Sequence, residues 1–123
     1  MSKSKKIVLV EDNPDLSNVL REMLTNKGYT VSVAETVEAG VLLVQDEKPD
    51  LLLLDTILPG INGIEVLDQL QAYRAGNPLK VLMLSNIDDP NHLKDARSHD
   101  IEEYLIKTDW RMEDVLARIK KYI

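Results

Sequence analysis

The chain has 123 residues, 44% of them hydrophobic and 29% charged, which suits one domain around a single core. It has no cysteine, which excludes disulfides, zinc-thiolate sites and thiol catalysis, and its net charge of −6 works against a phosphate backbone as partner. Its basic start, Met1–Lys6, is followed only by the apolar stretch Ile7–Val10 before Glu11 and Asp12, too short for a signal h-region or a membrane span.

The elements alternate along the chain. Lys6–Val10 reads as a first strand. Asn13-Pro14 opens a helix, with Asn as N-cap and Pro at the first helical position. Leu16, Val19, Leu20, Met23 and Lys27 trace one face of it, and Gly28 is its stop. Thr30–Ala34, alternating and β-branched, is a second strand. Thr36 caps a second helix to about Glu47, striped by Val37, Val41 and Val44 and closed by Pro49. Leu51–Asp55 is a third strand, whose leucine run predicts burial on both faces. After a loop at Gly60–Gly63, the residues Ile64, Leu67 and Leu70 are spaced for a third helix ending near Gly76-Asn77-Pro78. Lys80–Ser85 is a fourth strand. Asp89-Pro90 starts a fourth helix with only Leu93 and Ala96 as apolar face, the least firmly packed of the five. Glu103–Lys107 is a fifth strand, and Trp110 opens a last helix striped by Met112, Val115, Leu116 and Ile119.

Strand and helix repeat five times with short connections, which predicts an α/β fold. The expected form is a (βα)5 doubly wound five-stranded parallel sheet of flavodoxin-like order 2-1-3-4-5, with helices on both faces. No low-complexity tract or repeat divides the chain, so residues 1–123 are expected to form one domain, with no output domain within them. The basic clusters Lys3, Lys5, Lys6 and Arg118, Lys120, Lys121 read as solvated surface. Neither membrane nor direct nucleic-acid binding is expected, and the location is expected to be cytoplasmic.

That order sets the ends of strands 1 and 3 side by side, at the point where such sheets hold their ligands. Glu11 and Asp12 follow strand 1, Asp55 ends strand 3, Ser85 and Asn86 stand at the end of strand 4, and Lys107 ends strand 5. Singly, each has a plainer reading: a helix cap, a turn residue before Pro59-Gly60, a solvated lysine. Together, at four strand ends on one rim, they describe a site. Three neighbouring carboxylates repel one another, and Mg²⁺, which takes oxygen ligands, relieves that. Asp12 and Asp55 are candidate direct ligands, with Glu11 acting through a water. A carboxylate is also a nucleophile toward phosphorus. The Lys107 ammonium then balances charge on the phosphoryl group, and the Ser85 hydroxyl and nearby backbone N–H groups donate to its oxygens.

The ordered set Glu11-Asp12, the apolar strand ending in Asp55, Leu58-Pro59-Gly60 with Gly63, Ser85, and Tyr104-Leu105-Ile106-Lys107 resembles the receiver domain of two-component response regulators, over essentially the whole chain. The resemblance implies a phosphorylation-dependent signalling switch that is not a turnover enzyme and catalyses only its own aspartyl phosphorylation and dephosphorylation. It implies that Asp55 accepts a phosphoryl group from a sensor histidine kinase or a histidine phosphotransfer protein. It implies Mg²⁺ on Asp12, Asp55 and the backbone carbonyl of Ile57, with Glu11 nearby and the backbones of Thr56 and Asn86 at the phosphoryl group. Ser85 and Tyr104 are then the switch pair. The signal passes through the face of helix 4, strand 5 and helix 5 to a downstream protein target that the sequence does not name, with a homodimer as one arrangement.

The chain departs from that family in several places. Thr108 follows Lys107 where the family usually has proline after a cis bond. A cis bond without proline costs about 3–4 kcal/mol, so a trans Lys107-Thr108 bond is expected. Asn86 replaces the common alanine, and Ser98-His99-Asp100-Ile101 replaces the usual small residues, with Asp100 expected to accept a left-handed conformation. Ile57 and Ile87 flank the site and are expected to hinder the hydrolytic water. Three other readings compete. An Mg²⁺-dependent aspartyl phosphohydrolase needs a second Asp where Ile57 stands. A flavodoxin-like electron carrier needs a Ser/Thr/Gly-rich loop where Glu11-Asp12-Asn13-Pro14-Asp15 would repel phosphate. A degenerate receiver, binding partners without phosphorylation, follows if Thr108 and Asn86 spoil the site.

Overall fold

A computed structural model of the chain describes residues 5–55, 79–85, 103–106 and 111–123. The third and fourth helices, the loops around them, and the expectations for Lys107-Thr108, Asp100 and Ile87 lie outside the described residues, whereas the last helix begins at Met112 with Arg111 as its N-cap rather than at Trp110. The described elements are β1 (Lys6–Val10), α1 (Pro14–Asn26), β2 (Thr30–Ala34), α2 (Val37–Glu47), β3 (Leu51–Asp55), β4 (Lys80–Ser85), β5 (Glu103–Ile106) and α3 (Met112–Tyr122), the last being the fifth helix of the sequence reading. They form one five-stranded sheet in the order β2-β1-β3-β4-β5, with every pair parallel. This is the expected doubly wound order, and it brings β1 and β3 together at the switch point.

The pleat divides the core in two. On one face Ile7, Leu9, Leu51, Leu53, Leu82 and Leu84 pack with Leu20 and Leu24 of α1 and Val115 and Ile119 of α3. On the other, Val8, Val10, Leu52, Leu54, Val81 and Met83 pack with Ala34 and with Val44 of α2. Helices therefore cover both faces. Leu51 to Leu54 are buried throughout, because β3 has strand neighbours on both sides and helices above and below.

Two details depart from the sequence reading. On α1 the buried positions are Ser17, Leu20 and Leu24, whereas Val19 is 46% exposed. Leu16 is half-buried, so the stripe runs Leu16, Leu20, Leu24 along one i, i+4 row, rotated away from Val19. The Ser17 hydroxyl donates to the Pro14 carbonyl at 3.1 Å, which satisfies it in the apolar face. On α2 the C-cap is Lys48, held left-handed at φ 48°, immediately before Pro49. By contrast α1 ends as expected on Gly28 at φ 96°, with Gly28 N–H donating to Thr25 O (3.0 Å) and Tyr29 N–H to Leu24 O (3.2 Å). Those two bonds make a Schellman motif, which occupies carbonyls the helix would otherwise leave open.

Candidate functional site

Register decides what stands together at the carboxyl edge of the sheet. Val10 pairs with both Ala34 and Leu54, so the chain leaves β1 beside the last residues of β2 and β3. Asp55 pairs with Leu84, and Ser85 pairs with Ile106. The backbones that carry Glu11, Asp55, Ser85 and the end of β5 thus reach one edge side by side. For Asp55, Ser85 and Tyr104 the backbone is described and the side chain is not; Thr56, Ile57, Asn86 and Lys107 lie outside the described residues.

The turn from β1 to α1 is described in full. Glu11 N–H donates to Ala34 O at 2.9 Å, continuing the β1–β2 ladder one step past the strand. Its side chain is 2% exposed, and its Oε1 accepts the Asn13 N–H at 3.1 Å. Burial of a carboxylate is tolerable only with such donors. Asn13 then caps α1, its Oδ1 accepting from Asp15 N–H at 3.0 Å and Leu16 N–H at 3.3 Å. Pro14 at the first helical position has no N–H to satisfy.

This settles how the acidic pair is used locally. The cap is made by Asn13, and Glu11 braces the residue that makes it. Asp12 is exposed, and among the described residues its carboxylate has no hydrogen-bond or ion-pair partner. A carboxylate left out of the cap and open to solvent beside the end of β3 has the chemistry of a hard-cation ligand. Glu11 is different in kind: it is buried and positions the turn, so the two acids that look equivalent in sequence play distinct parts. No pattern in the sequence separates them, because the difference follows from which residue the β1–β2 ladder carries inward. Among the described residues no three His, Cys, Asp or Glu side chains form a metal-binding group.

The comparisons with known proteins agree with this layout. Residues 7–120 match the family model for the response regulator receiver domain. Protein PilH of Pseudomonas aeruginosa is 30% identical over 102 residues, 83% of this chain and 84% of PilH. The alkaline phosphatase synthesis transcriptional regulatory protein PhoP of Bacillus subtilis is 32% identical over 117 residues, 95% of this chain but 48% of PhoP. The chain spans about half the length of several regulators it matches. Among solved structures, response regulator protein TrrA of Thermotoga maritima, in complex with Mg²⁺-BeF, aligns with a TM-score of 0.83 at 27% identity, covering 97% of this chain and 99% of that one. The chain belongs to the response regulator receiver domain family, the phosphorylation switches of two-component systems.

Proposed function

We propose that the chain switches by phosphorylation of Asp55, with Mg²⁺ held by Asp12, Asp55 and the backbone carbonyl of Ile57. The observation that carries this reading is the Asp12 carboxylate, exposed and outside the helix cap, on a turn that leaves β1 beside the end of β3. In the transfer, an Asp55 carboxylate oxygen forms a bond to phosphorus while the bond from phosphorus to the donor imidazole nitrogen breaks. The donor histidine belongs to a sensor kinase or a phosphotransfer protein. Bound Mg²⁺ would supply charge balance for the phosphoryl oxygens. Asp12 contributes a ligand and Glu11 holds the turn that presents it. Lys107 balances further charge, and Ser85 and the backbone N–H groups of Thr56 and Asn86 donate to phosphoryl oxygens. Ser85 and Tyr104 then pass the change to the face that includes β5 and α3, where a protein target docks.

Support comes from family membership and from TrrA, whose structure holds Mg²⁺-BeF. In this reading the protein catalyses only its own phosphorylation and dephosphorylation, and it works in the cytoplasm. Among the described residues no helix is long and apolar enough to cross a membrane. The test is incubation with Mg²⁺ and acetyl phosphate, read by intact mass. A gain of one phosphoryl group is expected, lost in Asp55→Asn and on chelation of Mg²⁺. No gain under any condition would assign the chain to phosphorylation-independent binding instead.

A further inference from the structure

The opposite, amino-terminal edge of the sheet carries a feature that phosphoryl transfer does not use. Lys5 just before β1, Lys48 at the end of α2, Lys80 opening β4 and Lys121 near the end of α3 line one hollow of about 280 Å³. Four segments far apart in sequence each bring a lysine to it. The chain as a whole carries a charge of −6, so this is a local reversal of its field.

Asp50 is the one acidic residue in the lining, and it is already engaged. Its Oδ2 accepts the Lys6 N–H at 2.8 Å, and its own N–H donates to Lys6 O at 2.8 Å. Among the described residues none of the four ammonium groups is ion-paired with a carboxylate. Two of them are partly held in place. Lys80 Nζ donates to the Tyr122 carbonyl, which leaves it two further N–H donors. Lys121 Nζ lies 5.4 Å from the centre of the Tyr122 ring, a cation–π distance. Four like charges around one concavity repel one another, and an anion of matching charge relieves that repulsion.

We propose that this hollow binds a small anion carrying two or three phosphates. The four ammonium groups outnumber the acidic groups of the lining, so the hollow is net positive. Lysines act on phosphate as point charges, without the bidentate geometry that arginine brings to planar acids. The volume is near the lower end for ligand sites, about 300 Å³. The lining is mainly polar, with little apolar surface on which a peptide could bury side chains. The hollow lies at the start of β1, with Lys5 about 20 Å along the strand from Glu11 of the acidic turn, so the two ends do not compete.

The probe is inorganic triphosphate, added without Mg²⁺ and followed by backbone amide shifts. Saturable shifts at Lys5, Lys48, Lys80 and Lys121 are expected, in the parent chain and equally in Asp55→Asn. The double variant Lys48→Gln/Lys121→Gln should bind at least about tenfold more weakly while keeping its thermal midpoint and its reaction with acetyl phosphate. Absence of saturation at millimolar triphosphate overturns the proposal. So does an unchanged affinity in the double variant, or a polyglutamate peptide that binds the hollow as tightly as triphosphate.

Discussion

Helices α1 and α2 lie on opposite faces of the sheet, and they are finished to different tolerances. α1 starts on an asparagine cap that satisfies two N–H groups and ends on a glycine at φ 96°. Both of its ends are relaxed. α2 starts on Thr36, whose Oγ1 accepts only from Ala39 N–H, and ends on a lysine forced to φ 48°. Between its ends, Gly40 lies so close to β1 that a Cβ there would stand 2.5 Å from Val10 Cγ2. The relaxed helix is the one that leaves the acidic turn. Because Asn13 alone caps it, Asp12 is not consumed in holding the helix. The tight places fall on the face where the chain needs only packing.

The comparison can be broken most forcefully from the core side of α1. Leu20→Ala should cost about 2–5 kcal/mol in denaturant unfolding, as a buried leucine on the true stripe. Val19→Ala on the same helix should stay within about 0.5 kcal/mol; a larger loss at Val19 than at Leu20 would mean that the stripe has been assigned to the wrong row. Gly40→Ala comes next. Overpacking against the buried Val10 should cost about 1–3 kcal/mol, of which better helix propensity returns up to about 1 kcal/mol. Combining it with Val10→Ala, which removes the opposing methyl, should make the two losses clearly less than additive in a double-mutant cycle.

Asn13→Ala should lower stability by about 1 kcal/mol, with Asn13→Ser recovering most of it, as thermal melts of the three proteins would show. Equal stability of all three would remove the cap from the account of why Asp12 is left over. The smallest effect has the opposite sign. Lys48→Gly relieves a left-handed residue at about 1–2 kcal/mol, offset by the entropy glycine loses on folding. A net gain of up to about 1 kcal/mol is expected, whereas glycine replacing Lys27, which is not left-handed, should give none.

Much of the frame was legible because local chemistry and global fold agree. β1, β2, β3 and β4 have the bounds that the apolar runs predict, and Asn13, Thr36 and Gly28 do what their residue types suit them to do. The misassigned Val19 shows the limit. Leu16, Val19, Leu20, Met23 and Leu24 support two overlapping stripes less than one residue's rotation apart. Only contact with the sheet selects between them. Lys48 shows another limit, since nothing in its residue type marks a left-handed position; the requirement comes from returning the chain to β3 ahead of Pro49.

For the candidate site, residue types and their order sufficed to name the family and the acidic pair. They did not reveal that Glu11 is buried and braces the turn while Asp12 stays open, nor that Lys5, Lys48, Lys80 and Lys121 share one hollow. For β1 to β4, α1 and α2, sequence by itself determined where the elements begin and end, because periodicity, caps and breakers act within a few residues. Tertiary structure decided which of two adjacent acids is exposed and which distant lysines meet. Those outcomes depend on strand register and on helix rotation against the sheet, and both are set by contacts between segments far apart in the chain.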